Sequence, residues 1–309
     1  MEYPKGGIFM KKKKKKFVKL KKVLAGFLAL VLVVGLTIVG TLAYLSTQSN
    51  KVTNVFTATG NIKLNLIEPS FDSDEASKFK PAGEYPKDPT LVNTTGDDSS
   101  EWVILRVDYM VSKDESTVYS NVSQSDITYK NTGDKLSATS AKGLITIDNL
   151  PGSNWIKLDL NSSWLTNASK VKQAGSEDAV GKNAICEFYV YKKSLSSDEN
   201  VKNKTTAELH SINSSIGANV KTSPLFSQIT VHSQEQLELN GYTMDTLPRF
   251  KIDIVGGAIK NEGDDSTLTG GKTELDLSDT ESQKIINNLL GLVADKTPSN
   301  LANSSSSLG

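Results

Sequence analysis

Apolar and polar positions alternate with period two through most of the chain beyond Asn50. In NIKLNLIE the residues Ile62, Leu64 and Leu66 share one side, and Lys63 and Asn65 share the other. EWVILRVDYMV aligns Val103, Leu105, Val107, Tyr109 and Val111 in the same way. LITID, NWIKLDL, ICEFYVY, SQITV and RFKIDIV repeat the pattern. The turn-rich segments TTGDDSS, NTGDK, LPGSN and NEGDDS separate these runs. Many short strands without alternating helices predict an all-β, antiparallel β-sandwich rather than a parallel α/β fold.

One late segment departs from this period. In LSDTESQKIINNLLGLVADK the residues Ile285, Ile286, Leu289, Leu290 and Val293 form a single apolar stripe at helical spacing. Ser278 and Glu281, three positions apart, read as a capping box. The pattern predicts one C-terminal amphipathic helix over about 279–295, laid on the sandwich. Residues 298–309 are polar and Ser-rich and are expected to form a disordered tail.

The chain begins differently. No charged residue occurs from Val23 to Asn50, and VLAGFLALVLVVGLTIVGTLAYL exceeds the roughly 20 apolar residues that span a bilayer. KKKKKKFVKLKK lies just before it. Such a basic flank holds its own side in the cytoplasm, so everything after Leu45 is expected outside the cell. Two readings stand: a signal peptide, or a permanent membrane anchor formed by residues 23–45. Thr41 and Ala43 supply small side chains at the −3 and −1 positions of a cut between Ala43 and Tyr44. MEYPKGGIF fits no part of a signal, and translation is expected to start at Met10.

Charge supports this division. The 309 residues hold 35 basic and 35 acidic side chains. Ten of the basic residues, and only Glu2 of the acidic ones, precede the apolar run, so the remainder carries 25 against 34, a net of −9. An acidic body offers no clustered Lys/Arg for phosphate contacts, and no nucleic-acid partner is expected. The membrane is expected to be met only through the N-terminal segment.

Candidate chemistry is sparse. The two histidines, His210 and His232, match no zinc motif and read as exposed loop and strand-end residues. Cys186 cannot form an intramolecular disulfide, and it shares a strand side with Phe188 and Val190, as a small core residue does. Gly256-Gly257 and Gly270-Gly271 read as strand-end turns, and NEGDDS lacks the ligand alternation of a calcium loop. Trp102, Trp155 and Trp164 suit core or sheet-edge positions, with a binding platform as the alternative. No catalytic residue, metal or cofactor is assigned, and the chain is expected not to be an enzyme.

GTLAYLSTQSNKVTNVFTATGNIKL, from Gly40 to Leu64, resembles the start of the TasA/camelysin-like family of bacterial exported proteins. Gly40, Thr41, Ala43 and Tyr44 match its first part, and Asn54, Phe56, Thr57 and Gly60 its second. WVILRVDYMV, FYVYKKSL followed by TSPLFSQITV, and FKIDIVGGAIKNEG resemble later family segments in the right order. The resemblance implies a jelly-roll-like sandwich exported from a Gram-positive cell, with a signal peptide cut by a dedicated signal peptidase of the SipW type. It implies subunits of biofilm-matrix or pilus-like fibres, in which the freed N-terminal segment of one subunit adds as a strand to the next. On that reading cleavage falls at Ala43–Tyr44, and Val52, Thr53, Asn54, Val55 and Phe56 donate the strand. An accessory assembly protein is a further candidate partner.

The expected organisation is a leader over 1–43, a donor segment over 44–60, a sandwich domain over 61–297 and the tail over 298–309. Two rival functions remain open. One is a surface adhesin whose sandwich loops bind glycan or protein, and the other is a camelysin-like metalloprotease.

Overall fold

A computed structural model of the chain describes residues 55–56, 62–76, 80–96, 100–112, 120–121, 127–130, 143–172, 186–242, 249–261 and 272–296. The chain divides into a unit of residues 1–42 and one of residues 43–309, and every described residue belongs to the second. The leader, the Ala43–Tyr44 cleavage site, Val52, Thr53, Asn54 and the tail therefore lie outside the described residues, as do the NTGDK loop and all of NEGDDS after Asn261.

Two long strands form the spine. β5 (Ser100–Ser112) and β12 (Arg249–Asn261) pair antiparallel over their full lengths, from Arg249 opposite Ser112 to Asn261 opposite Ser100. β10 (Cys186–Tyr191) runs antiparallel on the other side of β5, and β9 (Trp155–Lys157) follows it. β6 (Ser120–Asn121) pairs with the end of β5, and β1 (Val55–Phe56) lies on the outer edge of β12. A second sheet has the order β3 (Glu84–Pro86), β11 (Gln228–Val231), β8 (Ile145–Asp148), β7 (Ile127–Lys130). A third pairs β2 (Leu64–Ile67) with β4 (Thr90–Asn93). The fold is all-β and mostly antiparallel. The β1–β12 and β7–β8 pairings are parallel and depart from the purely antiparallel expectation.

The alternation seen in the sequence becomes the core. Val103, Leu105, Val107 and Tyr109 of β5 join Leu64, Leu66, Leu91, Ile145, Ile147, Ile229 and Val231 from the two smaller sheets in one buried cluster. The opposite face of β5 is buried as well. There Trp102 and Ile104 meet Cys186, Phe188 and Val190 of β10 and the stripe Ile285, Ile286, Leu289, Leu290 and Val293. A strand covered on both faces explains why Trp102 and Ile104 are apolar as well as Val103, Leu105 and Val107.

That stripe belongs to the helix Thr280–Val293. Its N-cap is Asp279, whose carboxylate accepts from the Ser282 amide at 2.7 Å, so the cap sits one residue later than the expected Ser278–Glu281 box. Ser278 instead donates through its amide and hydroxyl to Asp276, each at 2.9 Å. Lys272 beside Asp279, together with the Ser282 amide, holds the Asp279 carboxyl down to about 2.

Among the described residues three short helices precede it, where the sequence pattern suggested none: α1 (Ser73–Ala76), α2 (Thr206–Ser211) and α3 (Gln234–Leu239). The late helix is α4. Both α2 and α3 open on complete capping boxes, Thr205 with Glu208 and Ser233 with Gln236. Each buries a single leucine, Leu209 or Leu237, too little to show as an apolar stripe.

Candidate functional site

The outer edge of β12 is where a residue pair of the expected donor segment meets the domain. β1 runs parallel to β12, with Val55 opposite Gly257 and Phe56 opposite Ala258. β12 spans 13 residues, all paired to β5 on one side, while β1 is the single strand on its other side among the described residues. A strand edge of this length presents a row of backbone N–H and C=O groups to which a further chain can hydrogen-bond. Of the expected site residues, the structure places Val55 and Phe56 on this edge.

Gly256 and Gly257 fix the middle of the edge. They lie inside β12 rather than in a strand-end turn, a correction with a steric cause. A Cβ on Gly256 would come within 2.9 Å of Leu91 and 3.3 Å of Leu64, and one on Gly257 within 2.9 Å of Val293 and 3.1 Å of Ile104. The sandwich and α4 press on β12 from opposite faces, and a side chain at either glycine would force these neighbours to shift.

The residues considered for other chemistry are structural. His232 is buried at 2% exposure, in contrast to the expected exposed strand end. The Gly143 carbonyl, 2.8 Å from Nδ1, only accepts, so Nδ1 carries the proton and Nε2 accepts from the Thr146 hydroxyl at 2.8 Å. Burial lowers its pKa from the usual 6.5. Its stabilising contribution is complete above that value and is lost as pH falls through the folded value. His210 is exposed, as expected, but lies in α2 rather than in a loop, and its Nε2 accepts from the Glu68 amide at 3.2 Å.

Trp102 is fully buried, and Trp155 packs edge-on to Tyr191 with centroids 5.0 Å apart, its Nε1–H donating to the Ser223 carbonyl. Neither can serve as an exposed platform. Cys186 is a core residue whose thiol is pushed well up, first by burial and then by Asp108. Such a thiol is not nucleophilic near neutral pH. Among the described residues no group of three or more His, Cys, Asp or Glu side chains is placed to hold a metal ion. No helix among them is long and apolar enough to cross a membrane.

The buried charges were not foreseen. Arg106 and Asp108 pair on the α4 side of β5, and Lys87 pairs with Glu68 beneath Phe71. The signal for the first was Arg-Val-Asp inside an apolar strand. Residues two apart share a face, and that face is covered by α4.

Glu101 is the third buried charge site. Burial raises its carboxyl to about 8 from 4.5, against a hydrogen bond from the Thr95 hydroxyl that acts the other way. The folded state keeps this proton after the unfolded chain has released it. The associated stability is complete below 4.5 and is lost as pH rises through about 8. Glu101→Gln removes the ionisation. Its stability relative to the parent, measured by urea unfolding, is expected to increase between about pH 5 and about pH 8 by up to about 1.4 kcal/mol per pH unit, and to level off above. A constant difference across that range would contradict the assignment.

Comparison with protein-family models, curated proteins and solved structures found no match to this chain.

Proposed function

We propose that this chain is a non-catalytic structural subunit, secreted to the surface of a Gram-positive cell, that polymerises into matrix or pilus-like fibres by strand donation. The sandwich is read as jelly-roll-like. A signal peptidase cuts between Ala43 and Tyr44 and frees the donor segment, and an accessory protein assists assembly. While the leader is tethered in the membrane the segment cannot reach a neighbour freely, so the cut acts as the assembly switch. The observation that carries this reading is the position of Val55–Phe56 on the long edge of β12. Residues 44–59 contain neither proline nor glycine, so every residue can donate its N–H to a ladder.

Removing residues 44–59 tests it. The truncated chain is expected to keep a cooperative unfolding transition and to remain monomeric at concentrations where the chain from Tyr44 polymerises. Unchanged fibres from the truncated chain would sink the reading.

A further inference from the structure

We infer that Lys221 and Asn213 become covalently joined, by an amide between Lys221 Nζ and Asn213 Cγ formed with loss of ammonia. This goes beyond the fibre reading and stands without it.

The two groups already meet. Lys221 Nζ donates to the Asn213 side-chain oxygen at 2.7 Å and to its main-chain carbonyl at 2.6 Å. At an ordinary hydrogen-bond angle an amine so placed lies about 3.5 Å from the carboxamide carbon, at the edge of the range from which a held nucleophile attacks.

The fold fixes both partners. Lys221 makes an antiparallel bridge with Val92 of β4. On either side of it the Asn93 amide donates to the Val220 carbonyl at 3.0 Å, and the Thr222 amide to the Leu91 carbonyl at 2.9 Å. Asn213 opens the turn Asn213–Ser215 just after α2, and the Ser215 amide donates to the Ile212 carbonyl at 2.8 Å. The residue before each partner is an apolar anchor. Val220 is buried in a cluster with Ile67, Val92, Leu209 and Ile216, and Ile212 packs against that cluster.

The amine is also suited to attack. Lys221 and Asn213 are both half-buried. Burial lowers the Lys221 pKa from the usual 10.5, and the nearby Asp88 carboxylate acts the other way with less effect. The fold thus raises the share of neutral amine, which is the nucleophilic form. In the reaction Nζ bonds to Cγ and the Cγ–Nδ2 bond breaks. One Nζ proton ends on Nδ2, which leaves as ammonia, and nothing is oxidised or reduced. The product is a neutral amide, so no cation remains to be kept partly out of water. Lys63 makes a similar contact, its Nζ donating to Asn203 Oδ1, but both of those residues are exposed. An exposed ammonium keeps its hydration, and no crosslink is expected there. The Lys221 link would weld the turn after α2 to the rung beside β4.

Peptide mapping tests this. The full-length chain, first shown to unfold cooperatively, is denatured, digested with trypsin and weighed by mass spectrometry. Trypsin needs a free lysine side chain, so a joined Lys221 is not cut. A peptide covering residues 205–249 is expected, lighter than its sequence by one ammonia and giving no fragments from breaks between 213 and 221. Lys221→Arg keeps the charge but removes the nucleophile, and it is expected to restore cleavage at 221 and the full mass. Complete cleavage after Lys221, with residues 205–221 at full mass, would overturn the crosslink. So would an ammonia loss within residues 205–221 that persists in Lys221→Arg.

Discussion

Arg106→Met is expected to destabilise the domain by about 3–5 kcal/mol, the usual cost of removing one partner from a buried ion pair. Every N–H of this guanidinium is committed. Nε donates to Asp108 Oδ2 at 2.7 Å and Nη2 to Asp108 Oδ1 at 3.0 Å. Nη1 donates to the carbonyls of Val293 at 3.1 Å and Ala294 at 2.7 Å, and Nη2 also reaches the Lys172 carbonyl. Arg106 thereby ties the centre of β5 to the C-terminal end of α4, where a cation complements the helix dipole. Both Arg106 and Asp108 have 0% exposed side chains, so methionine would leave the Asp108 carboxylate without its guanidinium in a dry interior. Arg106→Lys is expected to recover little, because one ammonium cannot reproduce the bidentate fork together with the contacts to α4. Arg106→Met combined with Asp108→Leu is expected to regain much of the loss, because no unpaired charge remains. Urea-unfolding midpoints of the four proteins decide this. A single variant within about 0.5 kcal/mol of the parent, the range of ordinary surface substitutions, would show that the pair is not part of the folded core.

Trp102→Ala is expected to cost about 3–5 kcal/mol, the range for emptying an aromatic site in a packed interior. The indole lies fully buried among the side chains that join β5, β10 and α4. Its Nε1–H has no hydrogen-bond partner there, an unfavourable feature that phenylalanine would remove. Trp102→Phe is therefore expected to cost less than half as much as alanine. Thermal unfolding of the two variants separates this from the platform reading, in which truncation would abolish ligand binding and leave stability unchanged.

Strands were legible wherever one face was apolar. Ile62, Leu64 and Leu66 entered the core as their spacing implied, and Cys186, Phe188 and Val190 share a face. The second buried face of β5 was less legible, because Arg106 and Asp108 are charged residues on the face that α4 covers. Glycine misled in the same way. Gly256-Gly257 looked like a turn, yet its cause is close approach from both sides of a continuous strand. His232 carried no periodic signal, and its burial depends on partners 86 and 89 residues away in the chain. α2 and α3 were missed: their capping boxes, Thr205–Glu208 and Ser233–Gln236, were the available signal, and six-residue helices are too short for periodicity to reveal. The parallel pairing of Val55–Phe56 with β12 joins residues about 200 positions apart, which local pattern does not encode.

The most direct measurement of the central claim is negative-stain electron microscopy of purified Tyr44–Gly309, beginning at the native Tyr44 with no residue added before it. The account predicts filaments whose abundance rises steeply with protein concentration and which vanish when residues 44–59 are removed. A mature chain that stays monomeric at every concentration, with its cooperative unfolding transition intact, would contradict self-assembly by strand donation.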